Sequence, residues 1–356
     1  MADLQLIVRG TAYGGWKRIH VRRSLEEISG GFNLEVSELW PEQQTPRDIR
    51  VGDRCAVVVA GETVITGYVD SVDDEADARS HFVGIAGRDV TADLVDCSAQ
   101  HGKGEWRNAR LDRIARDLAA PFGITVRVEA DLGAPFPTWT IQEGESIHEC
   151  IERAARQRGV LLLSDGRGGL VLGKAGARQV GTVLEVGENL LVCGVSNNGA
   201  QRYQQYVVKG QRAGSDDAFG TAVASMKATA TDAGVARRRT LVVMAEDEAD
   251  MAALKRRAEW EATVRAARAL TVKAAVQGWT HRGGVWTPNT RVRVRSSVQR
   301  IDRELLIRDV DLIADERGTR TELVLTPPEA YTLLARPARK KAPRRGRDDD
   351  MEDLLS

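Results

Sequence analysis

The sequence is poor in cysteine, and its cysteines form no recognisable metal motif. The four are Cys55, Cys97, Cys150 and Cys193. No two of them stand in a CxxC pair, and no histidine lies near one of them at zinc-ligand spacing. The common sequence motifs for structural zinc are therefore absent, and we expect reduced, mostly buried thiols.

Long apolar runs and net charge are also missing. No stretch approaches the roughly 20 apolar residues that span a bilayer, and residues 1–10 lack the basic and apolar regions of a signal peptide. We expect no membrane insertion, and residence in a cytoplasm until any assembly. The 51 Lys and Arg residues balance 51 Asp and Glu residues, so the whole-chain charge gives no long-range attraction to nucleic acid or to an anionic membrane.

The motifs of the common enzyme classes are not found either. There is no GxSxG, HExxH, Walker A or strand-GxGxxG-helix pattern. A carboxylate pair for glycoside hydrolysis stays open, because the separation of two carboxylates depends on the fold, but no particular pair is favoured. We predict no catalytic residue, no cofactor and no metal site, and therefore a protein that is not an enzyme.

What is present indicates several β-rich domains. A chain of 356 residues with 42% hydrophobic residues is long enough for two or three cores. Short β-branched runs with partial alternation, joined by Gly and Asp turns, predict an antiparallel β-barrel-like domain over residues 1–92. A second β-rich domain is expected over residues 179–335. The charged segment 336–356 has almost nothing to bury and is predicted to be disordered.

Residues 93–178 are expected to form an inserted α+β unit. Apolar residues recur at helical spacing from Leu111 to Leu118. A second helix follows, in which Ser146 and Glu149 have the spacing of a capping box. The run VLLLSDGRGGLVL after it predicts a hairpin rather than a phosphate loop, because no helix with a GK[ST] sequence follows its glycines.

The longest predicted helix is Glu246–Leu270, within the second β-rich domain. Its apolar residues fall on two nearly opposite sides. One side carries Met251, Leu254, Ala258 and Ala262, and the other carries Ala253, Trp260, Val264 and Ala267. A helix that is apolar on two faces is expected to be sandwiched between domains or between subunits.

The segment GWTHRGGVWTPNTRVRV, residues 278–294, combines two tryptophans, a histidine and three arginines. Trp279 and Trp286 flank a glycine turn, which favours a packed hairpin, with a partner-contact patch as the alternative. His281 near the tip is expected to be exposed and to have no catalytic role.

Three arginines follow on one face of the next predicted strand. Alternation places Arg291, Arg293 and Arg295 on one side and two valines on the other, as in a half-buried strand. Acidic residues of a neighbouring subunit are favoured as their partners over phosphate groups, because the chain carries no net positive charge.

Several motifs in collinear order resemble the baseplate hub proteins of Mu-like contractile-tail phages. The stretch GYVDSVDDEADARSHFVGIAGRDVTADLVDCS resembles the family's strand, acidic turn, strand and exit toward the helical unit. GWTHRGGVWTPNTRVRV resembles its Gly-Trp, glycine turn and Trp-Thr-Pro-Asn-Thr pattern. DRELLIRDVDLIADERGTRTELVLTPPEAY resembles the closing hairpin, so the likeness covers about residues 1 to 335.

The resemblance implies an α+β, β-rich fold with two small antiparallel β-barrel-like domains, an inserted α+β unit and a long helix, assembled as a trimeric ring. It implies a structural adaptor that joins the tail tube to the central spike, beside baseplate wedge proteins. The expected location is the virion baseplate, after assembly in the host cytoplasm. Specific DNA binding is not expected, and whether DNA passes through the ring lumen stays open.

Two other functions remain as alternatives. One is a peptidoglycan hydrolase of the tail tip, and the other is the hub of a type VI-like secretion or injection machine. For a hub, the residues expected to contact subunits or partners are Trp260, Val264, Trp279, Trp286, Arg291, Arg293 and Arg295.

Overall fold

The protein, in a computed structural model, is described over residues 4–37, 47–76, 81–176, 178–210, 226–245 and 250–335. Its elements form an N-terminal β region, a middle α+β region and a C-terminal β region with one long helix. Buried apolar residues form three clusters. The two β regions share the largest cluster, the middle region holds the second, and the third lies under the long helix.

The N-terminal β region consists of seven strands within the described ranges. They are β1 (Leu4–Val8), β2 (Thr11–Tyr13), β3 (Arg18–Ser24), β4 (Gly31–Ser37), β5 (Arg54–Val59), β6 (Glu62–Ala76) and β7 (His81–Asp89). In β1, Leu4, Leu6 and Val8 are buried while Gln5 between them is exposed. This alternation is what a strand with one core-facing side requires.

In its described residues the middle region contains three helices and short strands, and its two longer helices are those that the sequence predicts. Its elements are α1 (Ala92–Asp96), β8 (Glu105–Ala109), α2 (Leu111–Ala119), β9 (Thr125–Val128), β10 (Phe136–Thr140), α3 (Ile147–Arg158), β11 (Leu161–Ser164) and β12 (Gly169–Gly173). The predicted capping box is present: the Glu149 backbone N–H donates to Ser146 Oγ at 3.2 Å, and the Ser146 N–H donates to Glu149 Oε2 at 2.7 Å. These bonds satisfy amide groups that a helix start would otherwise leave unpaired.

The C-terminal β region contains eleven strands and helix α4 in the part that the structure describes. They are β13 (Arg178–Glu185), β14 (Leu190–Asn197), β15 (Gln205–Gly210), β16 (Met226–Thr231), β17 (Thr240–Met244), α4 (Met251–Arg268), β18 (Leu270–Gln277), β19 (Thr280–His281), β20 (Gly284–Val285), β21 (Thr290–Ser296), β22 (Ile301–Asp315) and β23 (Gly318–Thr326). Strands β15 to β17 form a separate three-stranded sheet that packs against α4.

The two β regions form one sheet and not two barrels. Thirteen strands pair in a single network whose main path runs β14-β18-β23-β22-β3-β4-β7-β6-β5-β1-β2. Within the described residues no closed ring of strand pairing occurs, so the expectation of two small antiparallel β-barrel-like domains is corrected. The reason is the pairing of β22. Its backbone pairs with β21 of the C-terminal region and with β3 of the N-terminal region, so the strands of the two regions continue into one sheet.

Strand β22 changes partner along its length. Its first half pairs with β21, from Ile301 to Leu306, and its second half pairs with β3, from Asp309 to Ala314. Strand β23 occupies the other edge from Leu306 onward, so β21 and β3 follow one another along the same edge. A bulge between Ile307 and Asp309 marks the changeover, and such bulges bend a strand and increase its twist.

Helix α4 is shorter than expected, and its own chain covers it. It begins at Met251, with Asp250 capping the N–H of Ala253 at 2.7 Å, and residues 246–249 lie outside the described part. Leu254 and Ala258 pack on the three-stranded sheet, and further along the helix Val264 and Ala267 are buried too. Met251 is 52% exposed, so it does not belong to a buried face as expected.

The ends of the large sheet are exposed. Strand β14 terminates the path, and its Leu191 and Val192 side chains are 56% and 58% exposed. The Gln299 side chain, from the turn between β21 and β22, donates to the backbone oxygen of Cys193 at 3.1 Å. That bond satisfies one outward carbonyl of this terminal strand.

Close approach of β6 and β7 depends on glycine. A Cβ added at Gly67 would lie 1.8 Å from the Arg88 carbonyl oxygen, and one at Gly87 would lie 2.3 Å from the Tyr68 carbonyl oxygen. Both obstacles are backbone atoms, which cannot rotate away as a side chain can.

Replacing Gly67 by alanine is therefore expected to lower the free energy of unfolding by about 1 to 3 kcal/mol, the usual cost of overpacking, measured by urea denaturation. Gly194→Ala in β14 is the matched control, because its new Cβ would meet nothing closer than the Lys273 oxygen at 3.9 Å. Equal stability losses in the two variants would contradict the steric explanation.

Candidate interaction surfaces

The tryptophan segment forms a buried hairpin. Trp279 and Trp286 are 6% and 3% exposed, and the Trp279 indole N–H donates to the Ile313 carbonyl at 3.0 Å. His281 packs on Trp286 with 4.7 Å between ring centroids and is half-buried, not exposed as expected. Burial lowers the pKa of His281, and the nearby Glu62 carboxylate opposes this effect.

The tip of this hairpin contacts the N-terminal β region. The backbone N–H of Val285 donates to Glu62 Oε1 at 3.3 Å. Glu62 begins β6, so the contact joins residues 223 positions apart in the chain. The sequence gives no signal for this partner, because a single carboxylate at a strand start looks like any solvated turn residue.

The three arginines of β21 form ion pairs within the chain. Val292 and Val294 are fully buried on the other side of the strand, as the alternation predicts. The ion pairs are Arg291–Glu304 at 3.0 Å, Arg293–Asp302 at 2.7 Å and Arg295–Glu185 at 3.4 Å. Carboxylates of the neighbouring strands β22 and β13 thus pair with these guanidinium groups. Together they form a half-exposed surface that carries both positive and negative charge.

The two predicted contact residues of the long helix differ in burial. Val264 is 2% exposed, whereas Trp260 is half-buried with Arg257 over its ring at 4.8 Å. The Trp260 indole N–H donates to the Thr332 carbonyl at 2.7 Å, which holds the last described segment against the helix. Trp260 and the arginines therefore keep exposed surface in the single chain, whereas Val264, Trp279 and Trp286 keep little.

A partly buried polar cluster, for which the sequence gives no signal, attaches the middle region to the large sheet. Arg23 of β3 donates to the Ser164 carbonyl at 3.2 Å, and the Ser164 hydroxyl donates to Asp89 Oδ2 at 3.0 Å. Burial lowers the pKa of Arg23 and raises that of Asp89. A Cβ at Gly166 would lie 2.3 Å from the Val64 oxygen, so the Gly-rich turn fits closely against the sheet.

The cysteines and metal-ligating groups are placed as follows. Cys55 and Cys150 are buried, Cys97 and Cys193 are half-buried, and all four are free thiols. Burial raises the pKa of Cys55 to about 12 and that of Cys150 to about 11. Across the described ranges, no group of three or more His, Cys, Asp or Glu side chains is arranged to hold a metal ion. None of the helices described is long and apolar enough to cross a membrane.

The Arg293–Asp302 pair is directly testable. The hydrogen bond from Arg293 holds the pKa of the Asp302 carboxyl below its ordinary value. Arg293→Gln is therefore expected to raise the Asp302 pKa toward the usual value for aspartate, as measured by carboxyl-carbon NMR titration. Arg291→Gln, which removes the partner of Glu304 instead, should leave Asp302 nearly unchanged, and equal shifts in both variants would contradict the pairing.

Three family models match successive parts of the chain. The N-terminal domain of the Mu phage baseplate assembly protein GpP-like family matches residues 3–89. The second domain of the gp44-like baseplate hub protein matches residues 91–174, and the fourth domain of the Mu phage baseplate assembly protein GpP matches residues 250–334.

Relatives of known role or structure cover nearly the whole chain. The baseplate hub protein gp44 of Escherichia phage Mu is 36% identical over 351 residues, which is 96% of this chain and 91% of that protein. The 43 kDa tail protein of prophage MuSo2 from Shewanella oneidensis has 32% identity and a TM-score of 0.83, covering 93% of this chain and 99% of that one.

A more distant structure shares the fold alone. An E. coli component of the type VI secretion system, described as structurally similar to the T4 tail proteins gp27 and gp5, has a TM-score of 0.54 at 11% identity. It covers 94% of this chain and 79% of that one. On the identity and coverage of the phage Mu relative, this chain belongs to the family of Mu-like phage baseplate hub proteins.

Proposed function

We propose that this protein is a homotrimeric, non-catalytic adaptor that joins the tail tube to the central spike of a contractile phage tail. The observation that carries the proposal is the 36% identity to the phage Mu baseplate hub protein over almost the entire chain. Relatives in this family are named for a structural position in the baseplate and not for a reaction.

The shared sheet supports an adaptor role. Because β22 pairs with both β3 and β21, the N-terminal and C-terminal β regions are held at a fixed relative position. The polar cluster of Arg23, Asp89 and Ser164 attaches the middle region to the same sheet. A subunit that matches a spike on one side to a tube on the other needs this kind of rigidity.

The partners and location follow from the same proposal. The trimer would contact the spike, the tube and the wedge proteins in the virion baseplate, and would assemble in the host cytoplasm. The proposed domains are residues 1–92, 93–178 and 179–335, with residues 336–356 as a charged tail. Among the proposed contact residues, Trp260, Arg291, Arg293 and Arg295 keep exposed surface in the single chain.

A second candidate is a hub in a type VI-like secretion machine. The structural match to the E. coli type VI component favours it. At 11% identity that match concerns the fold alone, whereas the match to the phage Mu protein concerns the sequence of the whole chain. The hub of a phage tail is therefore our first proposal, ahead of a hub in a secretion machine.

The oligomeric state tests the proposal directly. The purified full chain is expected to have three times the mass of one chain in multi-angle light scattering at micromolar concentration. A stable monomer with no affinity for a spike protein would overturn the homotrimeric adaptor.

Catalysis is tested separately. Incubation with purified peptidoglycan is expected to release no soluble fragments above a buffer control, with lysozyme as the positive control. Release of fragments that scales with protein concentration would replace the structural role with that of a tail-tip hydrolase.

A further inference from the structure

The three-stranded sheet has an outer face with no acidic residue. Its inner face packs on α4 through Val208 and Ala228. The pairing register places nine residues on the opposite side: Gln205, Val207, Lys209, Lys227, Thr229, Thr231, Thr240, Val242 and Met244. We call these nine residues the cationic face, because two lysines and no carboxylate belong to it.

The cationic face combines positive charge with exposed apolar surface. Val242 and Met244 are 52% and 54% exposed. Within the described residues, Lys209 and Lys227 are exposed and have no carboxylate within 4.0 Å. A surface of this composition favours a partner that is both acidic and partly apolar.

A surface of that composition lies on the β6–β7 hairpin. Strand register places Asp73, Glu75 and Phe82 on one side of it, together with Glu35 of β4. Phe82 is 47% exposed. Glu35 pairs with Arg18 at 3.3 Å, whereas in the described part of the chain Asp73 and Glu75 have no cation within 4.0 Å. We call these four residues the acidic face.

The two faces belong to different sheets. The three-stranded sheet carries the cationic face, whereas β4, β6 and β7 of the large sheet carry the acidic face. Phe82, Val242 and Met244 are exposed in the single chain, so the two faces do not cover each other within one copy. Complementary surfaces that stay uncovered in one chain suit contact between copies.

We propose that the acidic face of one copy binds the cationic face of the next, so that these two surfaces form a subunit interface. The inference rests on the proposed homotrimer, and it names the surfaces that would build it. A ring of copies arranged head to tail uses two different patches on each chain, one for each neighbour. Opposite charges set the register of such a contact, while Phe82, Val242 and Met244 supply apolar burial.

Charge reversal on each face, and then on both, tests the contact. Lys209→Glu with Lys227→Glu should raise the trimer dissociation constant at least about tenfold, because like charges would face each other. Asp73→Lys with Glu75→Lys should do the same. The fourfold variant that carries all these changes should recover the wild-type value to within about threefold, since the charges are then complementary again. Sedimentation equilibrium measures all four proteins.

A matched control separates local contact from net charge. Lys103→Glu with Lys174→Glu changes the net charge by the same amount at exposed positions of the middle region, and it should leave the dissociation constant unchanged. Thermal unfolding followed by circular dichroism checks that every variant is folded.

The outcomes distinguish this inference from the function on which it rests. A wild-type monomer would overturn the homotrimer itself. A wild-type trimer that either reversal leaves intact, or that the fourfold variant fails to restore, would overturn the proposed interface alone and would assign the cationic face to another component of the baseplate.

Discussion

Backbone pairing along β22 is the constraint on which the rest of the structure depends. This strand takes β21 and β3 in succession on one edge and β23 on the other. As a result, the chain folds two β regions that are distant in sequence around one shared core. Without that strand, each region would have an unpaired strand edge. Each would also contain only about half of the residues of the shared apolar core.

Other contacts between the regions reinforce the same join. At the changeover point, buried Asp309 accepts hydrogen bonds from Ser24 Oγ at 2.7 Å and from Arg308 at 2.8 Å. The Glu62 contact with the tryptophan hairpin lies between the same two regions. A buried carboxylate is costly unless hydrogen-bonded, so the bond from Ser24 to Asp309 favours the arrangement in which both regions are in place.

Local features could be predicted from the sequence, whereas partner choice could not. The capping box of Ser146 and Glu149 and the alternation around Val292 depend on residues a few positions apart, so the pattern is visible in the chain itself. The pairing of Asp311 with Arg22 joins residues 289 positions apart. The periodicity of a strand does not show which other strand it will pair with, and the expectation of two β-barrel-like domains is wrong for that reason.

For the candidate surfaces too, local features could be predicted from the sequence and contact partners could not. The tryptophan hairpin was recognisable from its turn residues, and the arginine strand from its alternation. The arginines form ion pairs with carboxylates of β22 because of the register in which β22 pairs with β21. Register is set by turns and by core packing together, which sequence inspection alone does not combine.

Strand β14 ends the large sheet within the described residues, and this has a consequence for the free chain at high concentration. An eight-residue strand with no charge and no proline, LLVCGVSN, lacks the usual protections against templated strand addition. Gln299 covers a single carbonyl there. At high concentration, free copies should therefore aggregate through this edge strand. Rapid incorporation into a larger assembly would protect them from aggregation.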